Sequence, residues 1–386
     1  MSRTDRKRSR GFTLLEVLVA LVVSALAAVG IYRAFISTSS VLTQTKSTDN
    51  AWQQARSALA MITESVESAG YGLPMYACGT IESANPQTHS GTPLNMAPVS
   101  ATATATMGTI PYDPKGAPIG AGVSSYELTT VTGGGYFGSA PTTHIVSTPG
   151  ASTSSDVFDV RNAALVNAMD MFLVPLPNRT CLLGQVTSGR QSNPIHFSHG
   201  QSPYNLPGGF QALDPGITPN QLQGAGFVDL GKAGFTIDHF YVAYRSRGPQ
   251  GGSPADDVPA LYLQQDTALA TSSGQPTPVL VARGIVDMQV EFGYGTNGSV
   301  SSYGPPGTQP ASDVLAVKVA LLVRSTRTVP NEGAVTLIPL LHNTDYRVPR
   351  QLPTSNTTGC INGDCRHYIY HVFKTVIPVR NTIWNQ

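Results

Sequence analysis

From Phe12 to Tyr32 the chain is apolar apart from Thr13, Glu16 and Ser24. As a helix rising 1.5 Å per residue, a run of about 20 residues crosses a hydrocarbon core of about 30 Å. The helical pattern then continues. Trp52, Ala55, Leu59, Ile62, Val66 and Ala69 recur at intervals of three and four, the spacing of one helix face. No proline precedes Pro74, and Gly70, Gly72 and Pro74 supply the stop. One helix of about 59 residues, roughly 88 Å long, is predicted. Residues 12–36 form its membrane or fibre-core half, and residues 37–72 the half that packs on a head. The polar tract from Ser37 to Asn50 leaves open a break near Ser37 to Ser40, with a separate amphipathic helix after it.

Beyond residue 73 the period changes. Phe240, Val242 and Tyr244 alternate with His239, Tyr241 and Arg245. Val286, Met288, Val290 and Phe292 alternate with Asp287, Gln289 and Glu291, and the run Leu315, Val317, Val319, Leu321 and Val323 is set against Lys318 and Arg324. Period two reads as half-buried strand. With Ala260 to Gln264 and Tyr368 to Val379, these strands predict an antiparallel sheet with one face on the helix and one face wet. The fold class is α+β, with a β-rich head over 73–386. Residues 78–177, rich in Gly, Pro, Ala, Ser and Thr, read as loops with short strands.

Charged residues are only 12% of the 386, and the formal net charge is +1. Nucleic acid is therefore excluded as the main partner, because counterion release needs clustered Lys and Arg. The four cysteines, Cys78, Cys181, Cys360 and Cys365, are an even, small number that favours disulfides in an exported chain. Three pairings are possible. The short spacing of Cys360 and Cys365 favours a local closure, which leaves Cys78 with Cys181.

Arg3, Arg6, Lys7, Arg8 and Arg10 against the single acid Asp5 make residues 1–10 a cytoplasmic flank. A secretory signal peptide competes, since Ala25-Leu26-Ala27 resembles a small-x-small cleavage site. Glu16 decides against it: a carboxyl in an apolar helix costs on the order of 2 to 3 kcal/mol, less near the interface, and a plain anchor has no use for one. Gly11-Phe12-Thr13-Leu14-Leu15-Glu16-Val17 resembles the cleavage motif of the type IV pilin and type II secretion pseudopilin superfamily. The resemblance implies a leader over residues 1–11 removed by prepilin peptidase after Gly11. It also implies an N-methylated Phe12, and a Glu16 that pairs with the terminal amine of a neighbouring subunit.

Other chemistry is weakly supported. Cys360, Cys365, His367 and His371 have a superficially zinc-like spacing. Along a strand, however, His367 and His371 stand roughly 13 Å apart, too far to share one ion. Asn362, Gly363 and Asp364, like Asp256 and Asp257, are turn residues short of the 6 to 8 oxygen ligands calcium takes. No G-x-S-x-G elbow or phosphate-binding glycine loop occurs. No cofactor and no enzymatic activity are expected. The ordered strands of the last 150 or so residues, with Ser68-Ala69-Gly70-Tyr71-Gly72 at the helix end, resemble the PilW family of minor pilins.

That resemblance implies a low-abundance subunit that primes a pilus in the inner membrane, its head periplasmic, and then sits near the fibre tip at the cell surface. The implied partners are prepilin peptidase, other minor pilins and the major pilin, the inner-membrane assembly platform, membrane lipid and a large tip adhesin. Two alternatives remain: a J-type pseudopilin of type II secretion, whose head is usually shorter, and a tip adhesin or docking module built on the glycine- and serine-rich first half of the head.

Overall fold

The computed structural model describes residues 13–73, 80–82, 97–103, 125–133, 143–147, 157–164, 166–177, 180–188, 194–198, 202, 205, 209–212, 216–232, 234–244, 259–267, 278–310, 313–328, 337–341, 345–347 and 368–380. Helix α1 runs from Leu14 to Ser68, 55 residues without interruption. The polar tract is helical too, and three of its hydroxyls are satisfied by carbonyls of the preceding turn. Ser39 Oγ donates to the Ile36 carbonyl, Thr43 Oγ1 to Ser39 and Thr45 Oγ1 to Val41, at 3.2, 2.8 and 3.0 Å. The chain divides into two units, residues 1–50 and 51–386.

In the first unit the apolar side chains from Leu14 to Ile36 have no protein around them. Leu14 is 85% exposed, Leu26 69% and Phe35 69%. This stretch is long and apolar enough to cross a membrane.

The second unit is the head, with the last turns of α1 embedded in it. Its strands, in chain order, are β1 (Thr80–Glu82), β2 (Val99–Ala103), β3 (Tyr126–Gly133), β4 (Thr143–Ser147), β5 (Val157–Val160), β6 (Met171–Pro175), β7 (Thr180–Gln185), β8 (Ile195–His196) and β9 (Gly226–Gly231). Then follow β10 (Phe235–Tyr244), β11 (Pro259–Thr267), β12 (Val279–Arg283), β13 (Ile285–Thr296), β14 (Ser299–Gly304), β15 (Val314–Thr328), β16 (Leu337–Pro339), β17 (Asp345–Arg347) and β18 (Tyr368–Pro378). The strands predicted as one sheet divide between two. A five-stranded sheet has the order β12-β11-β10-β3-β2, and a four-stranded sheet has the order β14-β13-β15-β18. A seven-stranded sheet, β1-β7-β6-β9-β4-β5-β8, and the pair β16-β17 are the other sheets among the described residues. All pairings are antiparallel except β1 with β7.

Both of the first two sheets rest on the same face of α1. Ala51, Ala55, Ala58, Ile62, Val66 and Ala69 are buried there, in one core with Val290, Phe292 and Val319 of the four-stranded sheet and Phe240 and Leu261 of the five-stranded sheet. Polar contacts set the register. Ser65 Oγ lies 2.6 Å from Thr130 Oγ1 and donates to Asp238 Oδ2 at 2.8 Å, and the Arg283 amide donates to Gln54 Oε1. On the other side Trp52 meets Phe373 edge to face at 5.0 Å, and Arg380 pairs with Glu67 at 2.9 Å. The helix ends at Gly70, whose φ of 76° is a left-handed cap, and its amide donates to the Val131 carbonyl at 2.7 Å. A side chain at Gly133 would meet the Tyr71 and Gly72 carbonyl oxygens at 2.9 Å, so only glycine lets the helix end lie on β3.

The wet second face predicted for β13 is not observed. Asp287, Gln289 and Glu291 are buried, as are the apolar residues that alternate with them. Gln289 Nε2 donates to Asp287 Oδ2 at 2.9 Å, and Lys318 Nζ reaches Glu291 at 3.2 Å. Ser125 Oγ sits on the strand edge, accepting from the Met288 amide at 3.1 Å. The β13–β14 turn is Asn297-Gly298, both with positive φ, the two-residue hairpin geometry that this dipeptide favours.

The part of 78–177 that is described contains β1 to β6, and these are more than loop decoration. β2 and β3 belong to the five-stranded sheet, and β1, β4, β5 and β6 form the seven-stranded sheet with β7 to β9, one face of which carries a core of its own around Phe158, Phe172, Phe197, Phe210 and Phe227. The opposite face, with Met171, Leu173, Leu183 and Leu230, packs on Leu73, Val131 and Ile237.

Because the helix face is built of alanines, Ala55→Leu overpacks the junction of both sheets. The expected loss is about 1–3 kcal/mol of head stability, seen as a lowered unfolding temperature of the detergent-purified chain, with Leu59→Ala, partly exposed, costing less.

Candidate functional site

The residues with the clearest chemistry stand at the start of α1. Thr13 is not helical and acts as the N-cap. Its amide and its Oγ1 donate to Glu16 Oε2 at 3.0 and 3.1 Å, and the Glu16 amide donates back to Thr13 Oγ1 at 3.3 Å. This is the reciprocal capping arrangement of a Thr-x-x-Glu sequence, which satisfies amides that the helix leaves unpaired. The sequence reading gave Glu16 an intermolecular partner and missed the intramolecular one, although Thr-x-x-Glu before an apolar run is a legible signal. Glu16 is also the only carboxylate between Phe12 and Thr48. Gly11 and Phe12 lie outside the described residues.

Of the four cysteines, Cys181 is described: it is buried on β7 and disulfide-bonded. Cys78, Cys360 and Cys365 lie outside the described residues, as does His367. His371 lies within β18 beside Trp52, ring centroids 5.7 Å apart, with its Nε2 buried and unpaired. Burial holds its pKa below the usual value. Among the described residues no group of three or more His, Cys, Asp or Glu side chains is arranged to hold a metal ion.

Comparison with known proteins bears on both ends of the chain. Residues 6–32 match the family model described as the prokaryotic N-terminal methylation motif, and residues 239–381 match that of type IV pilus-assembly protein W. The chain bears the signatures of a PilW-type pilin. No curated protein and no solved structure matches it. The second match runs from His239 in β10 to just past β18, which includes most of β10, all of β11 and β12 of the five-stranded sheet, and the whole four-stranded sheet. PilW-type pilins are structural components of type IV pili, and the two matches together with the long apolar N-terminal helix support a type IV pilus-related pilin with an N-terminal anchor.

The buried charges of this PilW-like head are structural. His239 on β10 lies between Glu127 of β3, 2.8 Å from Nδ1, and Asp266 of β11, 3.3 Å from Nε2. Burial alone lowers its pKa, but hydrogen bonds and charge from Asp266 and Glu127 outweigh burial and lift it to about 9. The imidazolium thus ties three adjacent strands together. Asp229 on β9 accepts from the Gly231 amide at 2.9 Å. Burial, aided by the nearby Asp170, pushes it up to about 6, and burial does the same to Asp287.

A raised carboxyl pKa costs stability wherever the folded state must hold the charge. For Asp229 that cost is absent below about pH 4, builds as pH rises towards 6, and is complete above it. Asp229→Asn keeps an acceptor for Gly231 and removes the charge. It is expected to stabilise the head by about 2 kcal/mol at pH 8, with the gain fading towards pH 4. Chemical denaturation at the two pH values measures this, and a gain that grows as pH falls contradicts the assignment.

Proposed function

We propose that this chain is a minor pilin that primes type IV pilus assembly in the inner membrane and sits near the fibre tip, its head periplasmic until incorporation. Prepilin peptidase cuts after Gly11, and Phe12 becomes the N-methylated first residue. The observation that carries the reading is Glu16, the single carboxylate in an otherwise apolar span that has no protein packed around it. A carboxylate in hydrocarbon is tolerated when it is paired. Both of its intramolecular bonds fall on Oε2. A carboxylate has acceptor room on each oxygen, so Oε1 can receive the amine of a neighbouring subunit while the cap persists.

Extraction into the fibre then replaces lipid by neighbouring helices along residues 12–36, with other minor pilins, the major pilin and the assembly platform as partners. This chain carries no nucleotide-binding loop. The work of assembly is therefore assigned to a separate protein.

The head's export implies an oxidising compartment, and we assign its disulfides as Cys78 with Cys181 and Cys360 with Cys365. The parallel pairing of Ile81 with Cys181 supports the first, since the chain three residues past Cys78 lies beside Cys181.

Two measurements test these assignments. Mass spectrometry of the mature chain is expected to find N-methylated Phe12, and Glu16→Ala to leave cleavage intact while lowering incorporation into sheared fibres at least tenfold. An N-terminus at Met1 or near Ala28 removes the prepilin reading, and normal incorporation of Glu16→Ala removes the pairing role. Peptide mapping without reduction is expected to recover 78 linked to 181, and a 181–360 or 181–365 peptide contradicts the connectivity.

A further inference from the structure

Strands β3 and β10 are neighbours in the five-stranded sheet, and their register pairs Gly133 with Phe235. Residues 134–234 therefore leave the sheet and return to it at adjacent points. Within that excursion lie β4 to β9, six of the seven strands of the seven-stranded sheet, and only the three-residue edge strand β1 comes from outside. The excursion also has its own core: every buried residue of the phenylalanine cluster lies between Ile145 and Phe227. Five phenylalanine rings meet there at centroid distances of 5.3 to 5.8 Å.

The contacts with α1 belong to the remainder. Ser65, Gln54, Trp52 and Glu67 reach Thr130, Asp238, Arg283, Phe373 and Arg380, none of them within the excursion. Both family matches, 6–32 and 239–381, also lie wholly outside it. Chain topology and helix packing set both ends of the excursion, and the start of the second match at residue 239 agrees with its C-terminal end, while residues 33–133 of the frame are unmatched as well.

We propose that residues 134–234 are an inserted module that fibre assembly does not use, and that the frame made of α1, β2, β3 and β10 to β18 is the whole of the assembly subunit. This rests on the assembly reading above and divides it: the frame enters the fibre, and the module is carried by it as a separate surface. The module's described exposed charges are few, Arg161 and Lys232 among them, with amide side chains such as Asn162, Asn220 and Gln223 between. Its described surface thus lacks the clustered basic side chains that nucleic acid needs.

The test replaces residues 134–234 by Asn-Gly in the full chain, a two-residue link suited to an antiparallel pair closing at Gly133 and Phe235, and adds Cys78→Ser because the assigned partner Cys181 leaves with the module. Val131→Thr and Ile237→Thr make the uncovered sheet face wet. Independently, the triple variant Val146→Arg, Asn220→Arg and Gln223→Arg recharges the module's exposed surface without touching its core. Both chains are expected in sheared fibres at no less than half the parental amount, with unchanged piliation. The inference fails if the triple variant, folded and present in the membrane at the parental level, drops tenfold or more in fibres. It fails equally if the shortened chain does so while its head still resists protease. Absence of the parent chain itself from fibres is a different result, which overturns the assembly reading and not the division.

Discussion

The frame of the head depends on how α1 packs against two sheets at once. Ala51, Ala55, Ala58 and Ala69 are the small members of the buried helix face, with Ile62 and Val66 as the larger fillers. Small residues at such a junction gain packing contacts on two sides but hold the geometry tightly, since a close-packed interior admits no extra methylenes cheaply. The polar contacts of Ser65 and Gln54 then fix which turn of the helix meets which strand. A buried hydroxyl between Thr130 and Asp238 is costly to leave unpaired, so it acts against sliding along the axis. Gly133 closes the arrangement by letting the helix terminus bond directly to β3.

The elements visible in the sequence are those whose environment alternates in step with the chain. The strand of Phe240 and Val242 and the strand of Val317 to Val323 show apolar period two, and the structure has β10 and β15 there. Helix α1 was legible for the same reason, and Gly70 marked its end. What could not be read was the division into two sheets, because a strand's periodicity says which faces differ and not which neighbour it pairs with. The polar face of β13 misled in a related way. Asp287, Gln289 and Glu291 look like a solvent face, but Ser125, some 160 positions away in the chain, covers that edge and Lys318 neutralises Glu291.

The seven-stranded sheet was the least visible part, and its own sequence explains why. Met171-Phe172-Leu173-Val174 and Cys181-Leu182-Leu183 are unbroken apolar runs, the signature of strands buried on both faces, and such runs carry no period. They are flanked by glycine-, serine- and proline-rich segments, which dominated the compositional reading. The phenylalanines of the second core are spread from Phe158 to Phe227, so no local window contains enough of them to announce a core. The N-terminal motif has the opposite character: Gly11, Phe12 and Glu16 fall within six residues, and their chemistry is readable without any tertiary context.

That local motif carries a physical tension. The carboxylate that would receive a neighbour's amine is already hydrogen-bonded to Thr13, and a capping contact is typically worth about 1 kcal/mol. An ion pair formed in hydrocarbon is stronger than one formed in water, because the same charges attract in a lower dielectric. The two contacts need not compete, since Thr13 bonds one oxygen only. The cap instead fixes the Glu16 rotamer before any neighbour arrives, so the carboxylate loses less side-chain freedom on pairing. Thr13 therefore does more than begin the helix: its two bonds to Oε2 hold the acid in one orientation at the edge of the apolar span.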